Sequence, residues 1–176
     1  DTIYLEKPPM ASMLYAIDVP SNGGDTLFAS QYKAYETLTD ENKKALGSYT
    51  AESRSDLEAV SVTRINQSSK VNSQVSNNFS AIHPMIRTHP ETLLKSLYIS
   101  PAHTSSIQEL DKEESRALLS ELFIHQTREE HQCRVKWNNG DVALWDNRCL
   151  LHLPLNDYQG QLRSLHRITL KGERPY

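Results

Sequence analysis

The sequence predicts a mainly β protein with flanking helices, a β-sandwich or jelly-roll barrel rather than a doubly wound sheet. Three observations carry that expectation. Short β-prone runs closed by Gly, Pro and Asn turn signals recur along the whole chain. One long helical pattern stands among them, and the strands do not alternate with helices as a parallel sheet requires. The length of 176 residues fits a single domain, taken as 1–176, with enough chain to bury about 70% of its unfolded surface.

Taken in order, Thr2-Ile3-Tyr4-Leu5 reads as a short strand that Pro8-Pro9 interrupts. Ala11 to Val19 reads as a second, closed by Pro20-Ser21-Asn22-Gly23-Gly24, and Asp25 to Phe28 begins a third. Tyr32, Tyr35 and Leu38 are spaced for one helix face, and Asp40 to Leu46 reads as a short helix ended by Gly47. From Ser53 to Ser80 the chain carries eight serines and no apolar period, which fits either a disordered insertion or a mobile lid. His83–Thr88 and Ser96–Ile99 resume as strands. Asp111 with Glu114 three residues later forms a capping box, opening a helix whose stripe of Leu118, Leu119, Leu122 and Phe123 runs to about Thr127. The tail returns to β structure. Gln132–Trp137 and Asp141–Trp145 flank an Asn138-Asn139-Gly140 turn and predict a hairpin, and Leu162–Leu170 gives the last strand.

Composition narrows the function. Lys+Arg of 19 against Asp+Glu of 22 leaves a net charge of −3, so no basic excess exists to hold nucleic acid. No run approaches the ~18 apolar residues of a membrane helix, and DTIYLEKPPM is not a signal peptide, so a cytoplasmic protein is expected. Cys133 and Cys149 have no metal-motif partners; reduced thiols are favoured, with one disulfide left open.

Residues able to carry chemistry concentrate near the C-terminus. In a strand from Leu162 to Leu170, Arg163, Leu165 and Arg167 share a face, so both guanidiniums project the same way. They either lie on an exposed face or line an interior that needs anions to meet them. His152 alone reads as readily as a packed histidine as a metal ligand. Gly23-Gly24-Asp25-Thr26 alone is an ordinary turn, and His83 and His89, six apart, match no zinc spacing.

Together these blocks carry a resemblance. EKPPMAS, PSNGGDTLFAS with AYETL, HPMIRTHPET, WDNRCLLH and NDYQGQLRSLHRITLKGERP stand in one order along nearly the whole chain. In these strings the sequence resembles the TauD/TfdA family of Fe(II)- and 2-oxoglutarate-dependent dioxygenases. The resemblance implies a double-stranded β-helix, the jelly-roll barrel, with Fe(II) held by a His-x-Asp…His facial triad that leaves three positions open. It makes His152 the distal histidine and sets Asp1 on the motif's aspartate, so that its first histidine would stand two positions upstream. The reading therefore expects the family's N-terminal part to be missing from this chain, and expects the 176 residues alone to bind iron poorly through Asp1 and His152.

The same resemblance makes Thr26 and Arg163 partners of the distal carboxylate of 2-oxoglutarate. Arg167 becomes the second arginine, near the iron and toward an anionic group of the substrate. Thr2 has a backbone that approaches the substrate. His103 falls where the family commonly carries an aromatic side chain, a departure from a taurine-type pocket. Trp145 and Asn147 are read as support around the metal, and Asp146 as a structural hydrogen-bond acceptor.

The implied reaction hydroxylates a small, anionic organic substrate such as a sulfonate, sulfate ester or carboxylate, with O2 consumed and succinate and CO2 released. A carboxylate at Asp1 implies hydroxylation rather than halogenation. Neither nucleic acid nor membrane is an expected partner, while the resemblance leaves a homo-oligomer open, since family members often form dimers or tetramers. Two alternatives stand beside this reading: a jelly-roll protein that has lost its iron, and an oxidase of the same chemistry acting on a larger biosynthetic substrate.

Overall fold

The computed structural model describes residues 2–57 and 78–176. In chain order the elements are β1 (Ala11–Asp18), β2 (Thr26–Ser30), α1 (Gln31–Glu36), α2 (Asp40–Leu46), β3 (Thr50–Arg54), β4 (Ser80–Pro84), β5 (Ile86–Thr88) and β6 (Lys95–Leu97). They continue with β7 (Thr104–Ile107), α3 (Lys112–Gln126), a 3-10 turn at Glu129–His131, β8 (Gln132–Val135), β9 (Val142–Asp146), β10 (Leu150–Pro154) and β11 (Ser164–Leu170). No helix among the described residues is long and apolar enough to cross a membrane.

All recorded strand pairs are antiparallel. One sheet has the order β11-β1-β9, a second β10-β2-β8, a third β4-β3-β7, and β5 pairs β6. The first two sheets face each other, joined through Trp145, whose ring packs 5.2 Å from Phe28 and 5.0 Å from His152. The apolar core lies elsewhere. Ala34, Leu38, Leu46, Ala51, Met85, Leu97, Ile99, Ile107, Leu119 and Leu122 form one buried cluster between the helices and the strands of the third sheet and β6. Burial of these side chains stabilises by about 1.5–3 kcal/mol for each large one. The core is therefore separate from the space between the facing sheets, which holds polar side chains.

Local chemistry explains the helices. α3 starts at Asp111, whose side chain accepts from the Glu113 and Glu114 N–H groups while the Glu114 carboxylate reaches back to the Asp111 N–H. Its Ser115, Leu119, Leu122 and Gln126 are buried, a spacing that keeps one face inward. α2 is capped by Thr39 and α1 by Ser30.

Several expectations are corrected. Thr2–Leu5 is a turn, closed by the Leu5 N–H donating to Thr2 O, and not a strand. The segment 53–80 is strand at both ends, since β3 and β4 pair from Thr50 with Pro84 to Arg54 with Ser80. The lid or insertion expected there otherwise lies outside the described residues. The Asn-Gly turn is not a hairpin: β8 pairs β2 and β9 pairs β1, so it carries the chain from one facing sheet to the other. It is docked there because the Gly140 N–H donates to Ala16 O, the Ala16 N–H to Asp141 O, and the Val19 N–H to Asn139 Oδ1. Both cysteines are free thiols, Cys149 buried and Cys133 exposed.

Candidate active site

Period-two alternation places Thr26 and Phe28 on one face of β2, and β10 sets His152 directly opposite Phe28. That face looks toward the first sheet, where Trp145 of β9 stands opposite Ser12 of β1. The His152 ring thus sits between Phe28, at 6.3 Å, and Trp145. Burial pushes its pKa below the ordinary 6.5 and keeps the imidazole neutral, the form that ligates a metal.

Thr26 and Arg163 come together although 137 positions separate them. Arg163 precedes β11, donates from Nε to Gly24 O at 2.9 Å and from Nη2 to Thr26 Oγ1 at 3.4 Å, and lies 5.9 Å from the Tyr158 ring. It has no carboxylate partner among the described residues. The Gly23-Gly24 turn makes this approach possible. Both glycines have positive φ, and a Cβ on Gly24 would stand 3.1 Å from the Arg163 side chain. Asp157 accepts the Gly24 N–H at 2.7 Å, and Asp25 pairs with Arg134 at 2.6 Å. Trp137, buried just beyond β8, donates from Nε1 to Thr26 Oγ1 at 3.0 Å.

Arg167 shares the inner face of β11 and donates to Ser12 Oγ at 3.5 Å. Burial pulls its pKa down. Asn147 Nδ2 donates to the same Ser12 oxygen at 2.9 Å and to Pro9 O at 3.3 Å, tying the turn after β9 to β1. His103 is buried, its ring edge-on to Tyr4 at 5.0 Å. The residues just before it, Ser100–Ala102, line a cavity of about 260 Å³ together with Phe28, Leu151 and His152. Thr2 has φ of 42°, an unfavourable value for a β-branched residue. Asp1 lies outside the described residues.

A separate group of ligating atoms, from His89, Asp146 and Cys149, lies within 4.8 Å. Its hydrogen bonds identify it as a strut. His89 Nδ1 accepts the Glu91 and Thr92 N–H groups, so Nε2 carries the proton and donates to Asp146 at 3.0 Å. Asp146 also receives the Arg148 guanidinium at 2.6 Å. Burial pushes the Asp146 carboxyl up, yet the Arg148 and His89 hydrogen bonds outweigh it and hold the carboxyl below its usual value. Burial, then Asp146, raises the Cys149 thiol to about 11. A protonated nitrogen, a paired carboxylate and a protonated thiol are a poor donor set. Asp146 is the structural acceptor expected of it, and His83, whose Nε2 donates to Leu5 O at 2.9 Å, is likewise packed.

Trp137 and strand β10 escaped the sequence reading. The Leu150–Leu153 run was the available signal for β10; for Trp137 there was none, its partner lying 111 positions away.

Comparison with known proteins identifies the family. A profile described as "Taurine catabolism dioxygenase TauD, TfdA family" matches residues 1–169. The chain is 32% identical to the alpha-ketoglutarate-dependent sulfonate dioxygenase of Saccharomyces cerevisiae over 99% of its own length and 42% of that protein's. Among solved structures, a taurine dioxygenase from Burkholderia xenovorans superposes with TM-score 0.84 at 34% identity, covering 99% of this chain and 56% of that one. AAD-2, solved in complex with Mn(II) and N-oxalylglycine, gives 0.83 at 30% identity, covering 99% and 68%. The chain spans about half the length of the curated relatives it matches. With its mainly β architecture, facing sheets and matching profile, the chain belongs to the TauD/TfdA family and has that family's double-stranded β-helix fold.

Proposed function

We propose that the protein is an Fe(II)- and 2-oxoglutarate-dependent dioxygenase that hydroxylates a small anionic organic substrate. The observation that carries the reading is Arg163, a guanidinium without a carboxylate partner among the described residues, drawn against the Thr26 hydroxyl inside the fold. A half-buried cation in that setting favours an anion, and a carboxylate accepts a guanidinium N–H and a hydroxyl hydrogen together. His152 fits one iron position as a neutral imidazole, and Asp1 is the proposed carboxylate ligand. Bound Fe(II) supplies oxygen activation coupled to decarboxylation of 2-oxoglutarate.

The chain's own residues do the rest. Arg163 and Thr26 hold the distal carboxylate, fixing the cosubstrate's reach toward His152. Trp145 and Phe28 flank the histidine ring and fix its position. Arg167, on the same side of β11 as its Ser12 contact, is proposed to meet an anionic substrate group, which supports a sulfonate or related anion; the sulfonate dioxygenase relative points the same way. Thr2 and His103 are proposed at the substrate side. Free thiols at Cys133 and Cys149 suit a reducing compartment such as the cytoplasm.

The test is anaerobic addition of Fe(II) and 2-oxoglutarate to the native protein, read by the visible charge-transfer band of the chelate. A band that weakens in Arg163→Ala is expected. No band and no bound iron would instead leave a jelly-roll protein without this activity.

A further inference from the structure

We propose that Trp137 is a positioning residue for the cosubstrate: its indole N–H fixes the Thr26 hydroxyl so that the hydroxyl's own hydrogen is presented to the carboxylate beside Arg163. The inference rests on the reading of Arg163 and Thr26 as that carboxylate's site. An indole nitrogen donates and does not accept, and a guanidinium does the same. Both point at one atom, Thr26 Oγ1, from 3.0 Å and 3.4 Å. A hydroxyl oxygen has two lone pairs and one hydrogen. With a donor facing each lone pair, the hydrogen is left one direction, away from both. Thr26 is 1% exposed and Trp137 7%, so bulk water does not compete for these groups. The described residues offer the Thr26 hydrogen no acceptor.

The consequence is a hydroxyl oriented before the ligand arrives. A free threonine hydroxyl rotates among three staggered positions and must be fixed on binding; here two donors have already chosen one. Replacing the indole by a phenyl ring leaves one lone pair facing carbon and frees the hydroxyl to turn. The carboxylate then meets Arg163 with full charge but without a preset O–H donor. Trp137 touches neither the ligand nor the metal in this scheme and acts only through Thr26.

The test is anaerobic calorimetric titration of 2-oxoglutarate into the Fe(II)-loaded native protein and its Trp137→Phe, Thr26→Val, double and Arg163→Ala variants. Trp137→Phe is expected to weaken 2-oxoglutarate about threefold to tenfold, the size of part of one hydrogen bond to a charged group. KM for 2-oxoglutarate should rise with it while kcat holds. In the Thr26→Val background the Trp137→Phe change should do nothing to binding, because no hydroxyl remains to orient. Should the phenyl variant fold poorly, site-specific replacement of Trp137 by benzothienylalanine keeps the bicyclic shape and removes only the N–H, with the same expected weakening. Unchanged affinity, or an equal loss in both backgrounds, would overturn the inference. If Arg163→Ala also binds 2-oxoglutarate normally, the cosubstrate site itself is wrong and the inference goes with it. If Arg163→Ala weakens binding and Trp137→Phe does not, only the inference is lost.

Discussion

Glu173 is the side chain whose charge the fold should miss most. Its Oε1 lies 2.5 Å from Nη2 of Arg87 and 3.8 Å from Nη1 of Arg148, and those arginines are only 2% and 3% exposed. Glu173→Gln keeps the shape and removes the charge. Arg148 retains Asp146 and Glu91, but Arg87 is left with the face of Tyr98 at 4.9 Å and a buried Nε without a partner. Stranding one half of a fully buried pair costs about 3–5 kcal/mol. Glu173 is 42% exposed, so water softens the loss, and we expect about 2–3 kcal/mol. For a chain of this size that lowers Tm by roughly 5–10 °C. Scanning calorimetry of the variant at neutral pH measures it. Glu6→Gln, which breaks only the exposed 3.7 Å pair with Arg174, should shift Tm negligibly. An Arg87→Met/Glu173→Gln double variant should recover most of the loss, since no buried charge is then stranded. A Glu173→Gln shift no larger than that of Glu6→Gln would refute the reasoning.

Other outcomes follow from single features. Gly23→Ala would set a Cβ 2.7 Å from Asp157 Oδ1 at a φ of 78°, so it should destabilise by about 1–3 kcal/mol and weaken 2-oxoglutarate by loosening the turn beside Thr26, as denaturant melts and titration would measure. Burial holds the pKa values of His83 and His131 below the ordinary 6.5, so below that pH the unfolded chain takes up more protons than the folded one. Stability should be fully present above 6.5 and be lost as pH falls through the lowered folded values; Tm against pH shows it, and His131→Gln, which can still donate to Thr37, should flatten the curve. A thiol reagent should modify exposed Cys133 quickly and leave Cys149 slow, its thiol buried and raised to about 11.

Legibility in the sequence followed the range of the interaction. The α3 capping box and the Asp40–Leu46 helix were readable because their determinants lie within a few residues. β3 and β7 were not. Thr50–Arg54 and Thr104–Ile107 are mostly polar, and their buried Ala51, Ser53, Thr104 and Ile107 gain an inside only from each other's pairing and from the helices above. The Asn-Gly turn misled for a related reason: its local chemistry was right, but Gly140 bonds to Ala16 of β1 and Asn139 to Val19 just beyond it, long-range contacts that send the two strands to different sheets. At the proposed site, Thr26, His152, Arg163 and Arg167 are suggested by the family strings, whereas the contact of Trp137 with Thr26 became visible only once β2 and β8 had paired.

Charge pairing separates support from chemistry in this fold. Arg87, Arg134 and Arg148 each have a carboxylate within 3.1 Å, and each ties distant segments together: the tail to β5, β8 to the turn before β2, and the turn before β10 to the 89–92 segment. The charge of such arginines is already met by an acid, so they gain little from an anionic ligand. Arg163 is built differently. Its partners are a carbonyl and a hydroxyl, neutral groups that aim the guanidinium without neutralising it. A protein that needed only a strut there would place an acid opposite, as it does at Arg87, Arg134 and Arg148. Keeping the charge uncompensated among the described residues costs stability that a bound carboxylate returns, which is the expected signature of a binding residue rather than a structural one. Saturating 2-oxoglutarate should therefore raise Tm in the native protein, and the rise should vanish in Arg163→Ala while persisting in Arg134→Ala.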